Sequence, residues 1–418
     1  RISVETLEGQ EVADLFVQSS QRVGDLQRFL ASLAGPAVPG APCSRRRLVH
    51  RGTVLPAASS LADCGVEDGA QLTLVASKAT CVLTVGADSA SLWNAASGQC
   101  LQTFKGHAGQ VTSAVFSADS TSVLTASADG TAKLWVVSSG ECVQTFAGHA
   151  GCVNSAVFSP GGASVLTASW DGTAKLWRAS SGECLHTFEG HGQGAAAAAF
   201  SADGTTVLTT AADGAVRLWS SSSWECLRTF DGGRGAAAAG SAAFSPDGDA
   251  VVTAAGDGAV RVWDASSGEC RRCLRDEEGG PLRAAVFSAD GGLVLAAGLG
   301  GAKLWSLADG RLLWRCRAAG QAVNSALFSA DGGLVLTASD DGTAKAWSVA
   351  TGRCVRTLGG HGAAVHSAVF SADASAVLTT AGDGAARLWS FASGECARRF
   401  EGPEAPGAMR CAAFSPSG

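Results

Sequence analysis

Charge is the scarcest ingredient of this chain. Asp, Glu, Lys and Arg make up only 16% of its 418 residues, against about a quarter in an ordinary soluble domain. The formal net charge is −6, so there is no basic excess and nucleic acid is not the expected partner. Long hydrophobic runs are missing as well. None approaches the roughly 20 residues of a membrane-spanning helix, and no signal-like apolar stretch opens the chain. The first residue is Arg1, so the expectation is a sequence that continues upstream, with room there for a targeting segment. What the chain does have is glycine, 54 residues of it, and 46% hydrophobic residues. That mixture suits short strands joined by tight turns. The length allows two or three domains, or one repeat array plus something small.

Cysteine is plentiful, at 14 residues, but its placement argues against a disulfide framework. Cys100, Cys142, Cys184, Cys226, Cys270, Cys354 and Cys396 recur at one repeated position, and equivalent positions on successive units lie too far apart to bridge. They read as small buried apolar residues of a protein in the cytoplasm or another reducing compartment. Cys270 and Cys273 form a single C-x-x-C. Strand alternation would put them on opposite faces, and one such pair is a weak metal signal. No metal site or cofactor is expected.

The dominant pattern is a repeat. Tryptophans at 93, 135, 177, 219, 263, 305, 347 and 389 close "KLW"-like motifs spaced by 42 residues, with one step of 44. Each unit reads as four short strands, as in "VTSAVFS", "SVLTAS", "AKLWVV" and "CVQTF" around Trp135. One such sheet cannot bury both faces until neighbours stack on it, so the period itself supports a ring of blades. The Trp93 unit has no first strand of its own, while 409–414 is a first strand with nothing after it. The economical solution is an eight-bladed ring in which the C-terminal strand completes the first blade and no sheet edge stays open.

"GH" (148–149), "FSPDG" (244–248), "DGTAKLW" (129–135) and a literal "WD" at Trp263–Asp264 carry a resemblance to WD40 β-propellers over residues 79 to 418. The family resemblance implies a buried hydrogen-bonded set of His, Ser or Thr, Asp and Trp in a blade. Matched by motif, the sets are His107, Thr125, Asp129 and Trp135; His149, Thr167, Asp171 and Trp177; His191, Thr209, Asp213 and Trp219; and His361, Thr379, Asp383 and Trp389. Taken alone, a histidine, a hydroxyl and an aspartate suggest a nucleophilic triad. Four copies spread around a ring cannot converge on one substrate, whereas buried polar groups do need each other. The sets therefore read as structural, and the protein as not an enzyme. The Trp263 and Trp347 blades keep Thr253 with Asp257 and Thr337 with Asp341 but lack the histidine, as does the first blade with Thr84 and Asp88. The Trp305 blade, "LVLAAGLGGAKLW", has neither hydroxyl nor aspartate there, and is expected to be the least constrained.

Residues 1–77 follow a different grammar: two strands around a Gly turn, a helix with Val23, Leu26, Phe29, Leu30 and Leu33 on one side, then two further strands. "TLEG" (6–9), "RLVHRGTVL" (47–55) and "GVEDGAQLTLV" (65–75) resemble a ubiquitin-like domain of the β-grasp type. That likeness implies a recognition patch at Leu7, Val49, Thr73 and Val75, with Thr73 where ubiquitin has a histidine. There is no Gly-Gly tail and no lysine before Lys78, so the domain cannot be conjugated as ubiquitin is. Arg45, Arg46 and Arg47 read as a solvated loop edge. The expected architecture is mainly β: an α+β ubiquitin-like domain at 1–77, a linker too short for free tumbling, and a propeller at 78–418.

Propeller function lies in its surfaces rather than in its fold. The WD40 resemblance implies a protein partner on the narrower face, contacted near Gln110, Asn154, Trp170, Arg283, Asn324, Asp340, His366 and Arg410. Trp170 is the sharpest, because its counterparts are Ala128, Ala212, Gly256, Asp340 and Gly382 and an exposed Trp is a typical anchor; packing over a neighbouring blade is the alternative. Trp224 and Trp314 read as edge packing. The functional expectation is a non-enzymatic scaffold or adaptor in a multiprotein assembly, with no small-molecule substrate and no membrane insertion. Two narrower alternatives share this architecture. One is a Notchless-type ribosome-assembly factor, in which the small domain presents an acidic residue (Glu8, Glu67 or Asp68 here) to the metal site of a large ATPase. The other is a substrate adaptor of the ubiquitin pathway.

Overall fold

The computed structural model describes residues 2–6, 11–15, 20–26, 44–51, 53–56, 59–67, 70–78, 80–192, 194–212, 214–231, 241–276, 280–316, 321–401 and 408–416. The chain divides into two compact units, Arg1–Thr80 and Cys81–Pro416.

In the first unit, β1 (Ile2–Thr6), β2 (Glu11–Leu15), β3 (Ser44–His50), β4 (Thr53–Val54) and β5 (Gln71–Lys78) form one sheet in the order β2-β1-β5-β3-β4. β1 runs parallel to β5, with Val4 opposite Leu72; the other pairings are antiparallel. Ile2 and Val4, two apart on β1, point into one core with Leu48, Leu72 and Leu61, as strand alternation requires. Val23 and Leu26 join them from a helical turn at 23–26; Phe29, Leu30 and Leu33 lie outside the described residues. Arg45, Arg46 and Arg47 sit within β3, paired with Ser77, Ala76 and Val75. They are ladder residues rather than a loop edge.

The described residues of the second unit form eight four-stranded antiparallel sheets. Seven are contiguous in sequence. In the eighth, Ala412–Phe414 pairs with Cys81–Val85, Ala412 opposite Thr84 and Phe414 opposite Val82. The Ser415 hydroxyl accepts the Cys81 amide at 3.0 Å. Blades seal against each other through aromatics: Phe146 on the fourth strand of one blade meets Trp177 of the next with ring centroids 5.8 Å apart. Phe104–Trp135, Phe188–Trp219, Phe230–Trp263 and Phe400–Trp93 repeat the contact.

Every fourth strand begins with a bulge, where the repeat Trp faces the first residue of that strand, as Trp135 faces Cys142 and Trp177 faces Cys184. This strand is the outermost of its blade and has a neighbour on one side only. The seven repeated cysteines are consequently exposed free thiols, not the small buried apolar residues expected at that repeated position. Cys81, on the second strand of the first blade, is disulfide-bonded. Among the described residues no helix is long and apolar enough to cross a membrane.

Two residues beyond the start of the fourth strand, in six blades, a side chain donates to a carbonyl of the next blade. Gln102 donates to the Ser139 carbonyl at 3.4 Å, Arg272 to Ala308 at 3.2 Å, Trp314 to Val349 at 3.0 Å, Arg356 to Ala392 at 2.7 Å and Arg398 to Ala96 at 2.9 Å. Arg228 reaches Ser266 in the same way. These latches lie over a glycine of the receiving turn; a Cβ on Gly140 would collide with Gln102, and one on Gly352 with Trp314. Trp224 occupies that glycine position at φ 66 and instead stacks on the His186 ring, 5.1 Å away and 11° from parallel. Stacking worth about 1 kcal/mol offsets the strain of a left-handed non-glycine residue.

Candidate functional site: buried braces and an exposed face

The residues that resemble a catalytic triad sit between strands and are saturated with partners. In the Trp177 blade, the indole Nε1 donates to Thr167 Oγ1 at 2.8 Å, and His149 Nε2 lies 2.7 Å from the same oxygen. His149 Nδ1 is 2.8 Å from Asp171. Asp171 also accepts the Ala150 amide, the Thr173 amide and the Thr173 hydroxyl. An ionised carboxylate only accepts, so Nδ1 carries the ring proton and Nε2 accepts from Thr167. The Trp135 blade repeats this with His107, Thr125 and Asp129 at 2.8 and 2.9 Å. The Trp389 blade repeats it with His361, Thr379 and Asp383 at 2.7 and 3.0 Å. In the Trp219 blade His191 meets Thr209 at 2.8 Å, but its Nδ1 accepts from Arg217 at 2.6 Å; Asp213 lies outside the described residues. Thr125, Thr167, Thr209 and Thr379 are all buried, and each hydroxyl is held between the ring and the indole. No substrate can reach it.

Burial lowers the proton affinity of His107, His149 and His361 below the usual imidazole range despite the adjacent carboxylates. Burial by itself would raise Asp129 and Asp171; hydrogen bonds from threonine, histidine and backbone amides outweigh it and hold both carboxyls at about 2. Both effects act in one direction. The unfolded histidines take up protons near pH 6.5 while the folded ones stay neutral, so stability should fall as pH drops below about 6.5. The aspartates contribute fully above their unfolded pKa near 3.9, and that contribution, about 2 kcal/mol for each, is lost as pH falls towards 2. Urea midpoints should be flat from pH 8 to 7, decline below 6.5 and decline more steeply below 4. A midpoint that rises on acidification to pH 5.5 would contradict neutral buried histidines.

A residue type that sequence reasoning passed over completes the braces. Two positions before the repeat Trp stands a lysine or arginine in seven blades: Lys133, Lys175, Arg217, Arg261, Lys303, Lys345 and Arg387. In two blades with a histidine, Lys133 and Lys175 turn outwards to Thr145 and Thr187, whereas in the Trp389 blade Arg387 lies 3.3 Å from Asp383 beside His361. Where histidine is missing, the cation takes its place: Arg261 meets Asp257 at 2.6 Å, and Lys345 meets Asp341 at 2.8 Å. The Trp305 blade, expected to be the least constrained, uses another partner. Its Lys303 is 1% exposed and lies 3.0 Å from Asp276, itself 7% exposed. In the first blade Trp93 donates to Thr84 at 2.9 Å, while Asp88 is exposed.

The residues expected to form a partner face fall into two kinds. Some are tied into the ring. Asn154 donates to the Ala195 carbonyl at 2.8 Å and Asn324 to Val365 at 3.0 Å, each in the following blade. Arg283 binds Asn324 at 2.7 Å, Asn324 binds Asp340 at 2.6 Å, and Arg410 binds Gln110 at 2.9 Å across the closing blade. His366 is half-buried. Trp170 is different: it is 62% exposed, with its ring above Gly194 of the next blade. Its amide donates to Cys152. The matching bond in the Trp305 blade comes from Leu299, to Pro281, and Leu299 is 50% exposed. Counting back from Trp305 misses Leu299 because that turn is one residue shorter.

The four-stranded blades, the repeat Trp and its threonine match a known family. The WD domain, G-beta repeat, matches residues 98–136, 140–178, 182–220, 224–264, 310–348 and 352–390, more than half of the chain. This chain belongs to the WD40 family. The first three strands of its Trp305 blade, Leu282–Phe287, Leu293–Gly298 and Gly301–Ser306, lie outside the matched segments, consistent with a brace of different composition. Among solved structures, the WD40 chain is similar to the crystal structure of the computationally designed Ika8 protein. Identity is 27% and the TM-score 0.65, covering 76% of this chain and 93% of that one. No curated protein matches. WD40 propellers are typically non-enzymatic scaffolds that bind other proteins.

Proposed function

We propose that this WD40 protein is a non-enzymatic scaffold that binds a protein partner on the face carrying the turns between second and third strands. The observation that carries the reading is Trp170: a large side chain, 62% exposed, in a turn where most blades have Ala or Gly. Exposed tryptophans of this kind dominate binding energies because they bring large rigid area at little entropic cost. Leu299, Asp340, Gln110 and Arg410 supply apolar and polar groups around the same face. The first unit is read as a ubiquitin-like domain that docks a second partner; its β2-β1-β5-β3-β4 order with a parallel central pair supports that reading. Val49 and Thr73 of its recognition patch are half-buried, while Leu7 and the Val75 side chain lie outside the described set.

Affinity purification of the full chain, followed by mass spectrometry, tests this. Trp170→Ala and Asp340→Ala should reduce capture of the principal partner about ten-fold or more. The urea midpoint should stay within about 0.5 kcal/mol of the parent, as for exposed positions generally. Undiminished capture would show that the partner uses another surface. Loss of pre-60S ribosomal proteins would favour the ribosome-assembly role, and loss of proteasome or ligase subunits the ubiquitin-pathway role.

A further inference from the structure

The C-x-x-C of the Trp263 blade lies on the fourth strand, Cys270–Arg275. Simple alternation would separate the two thiols, but the bulge removes that separation. Trp263 faces Cys270 and Val262 faces Arg272, which leaves Arg271 as an extra residue without a ladder partner. An inserted residue inverts the parity of the strand beyond it, so the first and fourth residues of the strand share a side. Five other blades display the result. Cys100 Sγ lies 3.6 Å from Thr103 Oγ1, Cys142 3.7 Å from Thr145, Cys184 3.9 Å from Thr187, Cys226 3.7 Å from Thr229 and Cys354 3.5 Å from Thr357. In the Trp263 blade the threonine is replaced by Cys273.

We propose that Cys270 and Cys273 are a redox-responsive dithiol, closed to an intramolecular disulfide by exchange with a low-molecular-weight disulfide such as glutathione disulfide. Both thiols are free and exposed. Arg261 lies opposite Cys273 in the ladder; burial and the neighbouring Cys273 raise the Cys270 thiol above its usual range, with Arg261 opposing them, so exchange should quicken as pH rises. Among the described residues no cluster of three His, Cys, Asp or Glu side chains could hold a metal ion.

The exchange balances in two steps. The Cys273 thiolate attacks one sulfur of the disulfide, forming a mixed disulfide and releasing one thiolate. The Cys270 thiolate then attacks the Cys273 sulfur and releases the second. Two electrons pass from the protein to the reagent, and the two thiol protons end on the two released thiols. The S–S bond, about 2.05 Å, is shorter than the gaps between the equivalent side chains. Arg271, which has no ladder partner, supplies slack, and a bond closed under strain is readily reduced. Arg271 is paired with Asp264 at 2.6 Å, and Arg272 reaches Ala308 of the following blade, so closure pulls on one latch of the ring.

The full chain, treated with glutathione disulfide, acid-quenched, alkylated and digested with trypsin, provides the test. Cleavage after Arg271 or Arg272 leaves the two halves joined only by the bridge. The joined peptide should exceed mixed disulfide at Cys270 roughly ten-fold, as intramolecular closure outcompetes capping. It should disappear with excess reduced glutathione, while Cys142 and Cys226 form only mixed disulfides. Cys273→Thr restores the sequence of the other blades and should make Cys270 behave like Cys226. Thr229→Cys should build a second closing pair in the Trp219 blade. Independent capping of Cys270 and Cys273 at the rate of the single thiols overturns the proposal, whatever Thr229→Cys does.

Discussion

Deleting the chain from residue 408 onwards should unfold the ring rather than trim it. The lost segment contributes Met409, Ala412 and Phe414 to a cluster that includes Val82, Trp93, Leu378 and Phe400. It also supplies the neighbouring strand of Cys81–Val85. Full burial of Met409 and partial burial of Phe414 are together worth about 3–4 kcal/mol. The amide of Val85 loses the Cys411 carbonyl, and Cys81 loses Ser415. The sum, about 5 kcal/mol, equals the whole stability of many domains. An open edge in place of the closed ring adds a template for aggregation. Chemical denaturation followed by Trp fluorescence should show a collapsed or absent transition, and size exclusion should show oligomers. A truncated chain that unfolds cooperatively within about 1 kcal/mol of the parent would mean that the closing strand is dispensable.

The second large effect belongs to the Trp305 blade. Asp276→Ala leaves Lys303 buried without its carboxylate, and breaking a buried pair from one side costs about 3–5 kcal/mol. Adding Lys303→Met to Asp276→Ala removes both buried charges and should recover most of that loss. Arg315, 3.4 Å from Asp276, is half-exposed and can turn to water in either variant. Urea midpoints separate the two expectations, and amide exchange in Leu293–Gly298 and Gly301–Ser306 localises the effect. If Asp276→Ala costs less than about 1 kcal/mol, the pair is not the brace of this blade.

These two cases mark where the sequence could be read and where it could not. Repetition carried most of the fold: strand and turn signals recur at a fixed spacing, and a threonine ten residues before each repeat Trp identifies its hydrogen-bond acceptor in six blades. The cation two positions before that Trp also recurs, but a lysine in "AKLW" looks like a solvated side chain. Its direction differs between blades: Arg261 and Lys345 turn to the aspartate where no histidine holds it, Arg387 does so beside His361, and Lys133 and Lys175 turn away. Leu299 escaped notice because its turn is a residue short, and only backbone hydrogen bonding identifies it with Trp170. The repeated cysteines read as buried because free cysteine usually is, whereas their exposure follows from their place on the outermost strand. Alternation misassigned Cys270 and Cys273 because a bulge alters parity. Asn154 and Asn324 spend their amides on carbonyls 41 residues away, a relation between blades that motif spacing within one blade does not reveal.

The girdle of latches has a consequence for the order of events in folding. Most of its links join residues fewer than 40 apart, such as Gln102 with Ser139 and Arg356 with Ala392, but Arg398 and Ala96 are separated by 302. The bonds are chemically alike, so the long one is no stronger for its length. The entropic penalty of closure grows only with the logarithm of the intervening chain, but the search for such a distant partner slows folding. The six latches are thus alike in kind and uneven in time. Seven junctions can assemble as their blades condense, and the eighth must wait for both ends of the propeller to meet.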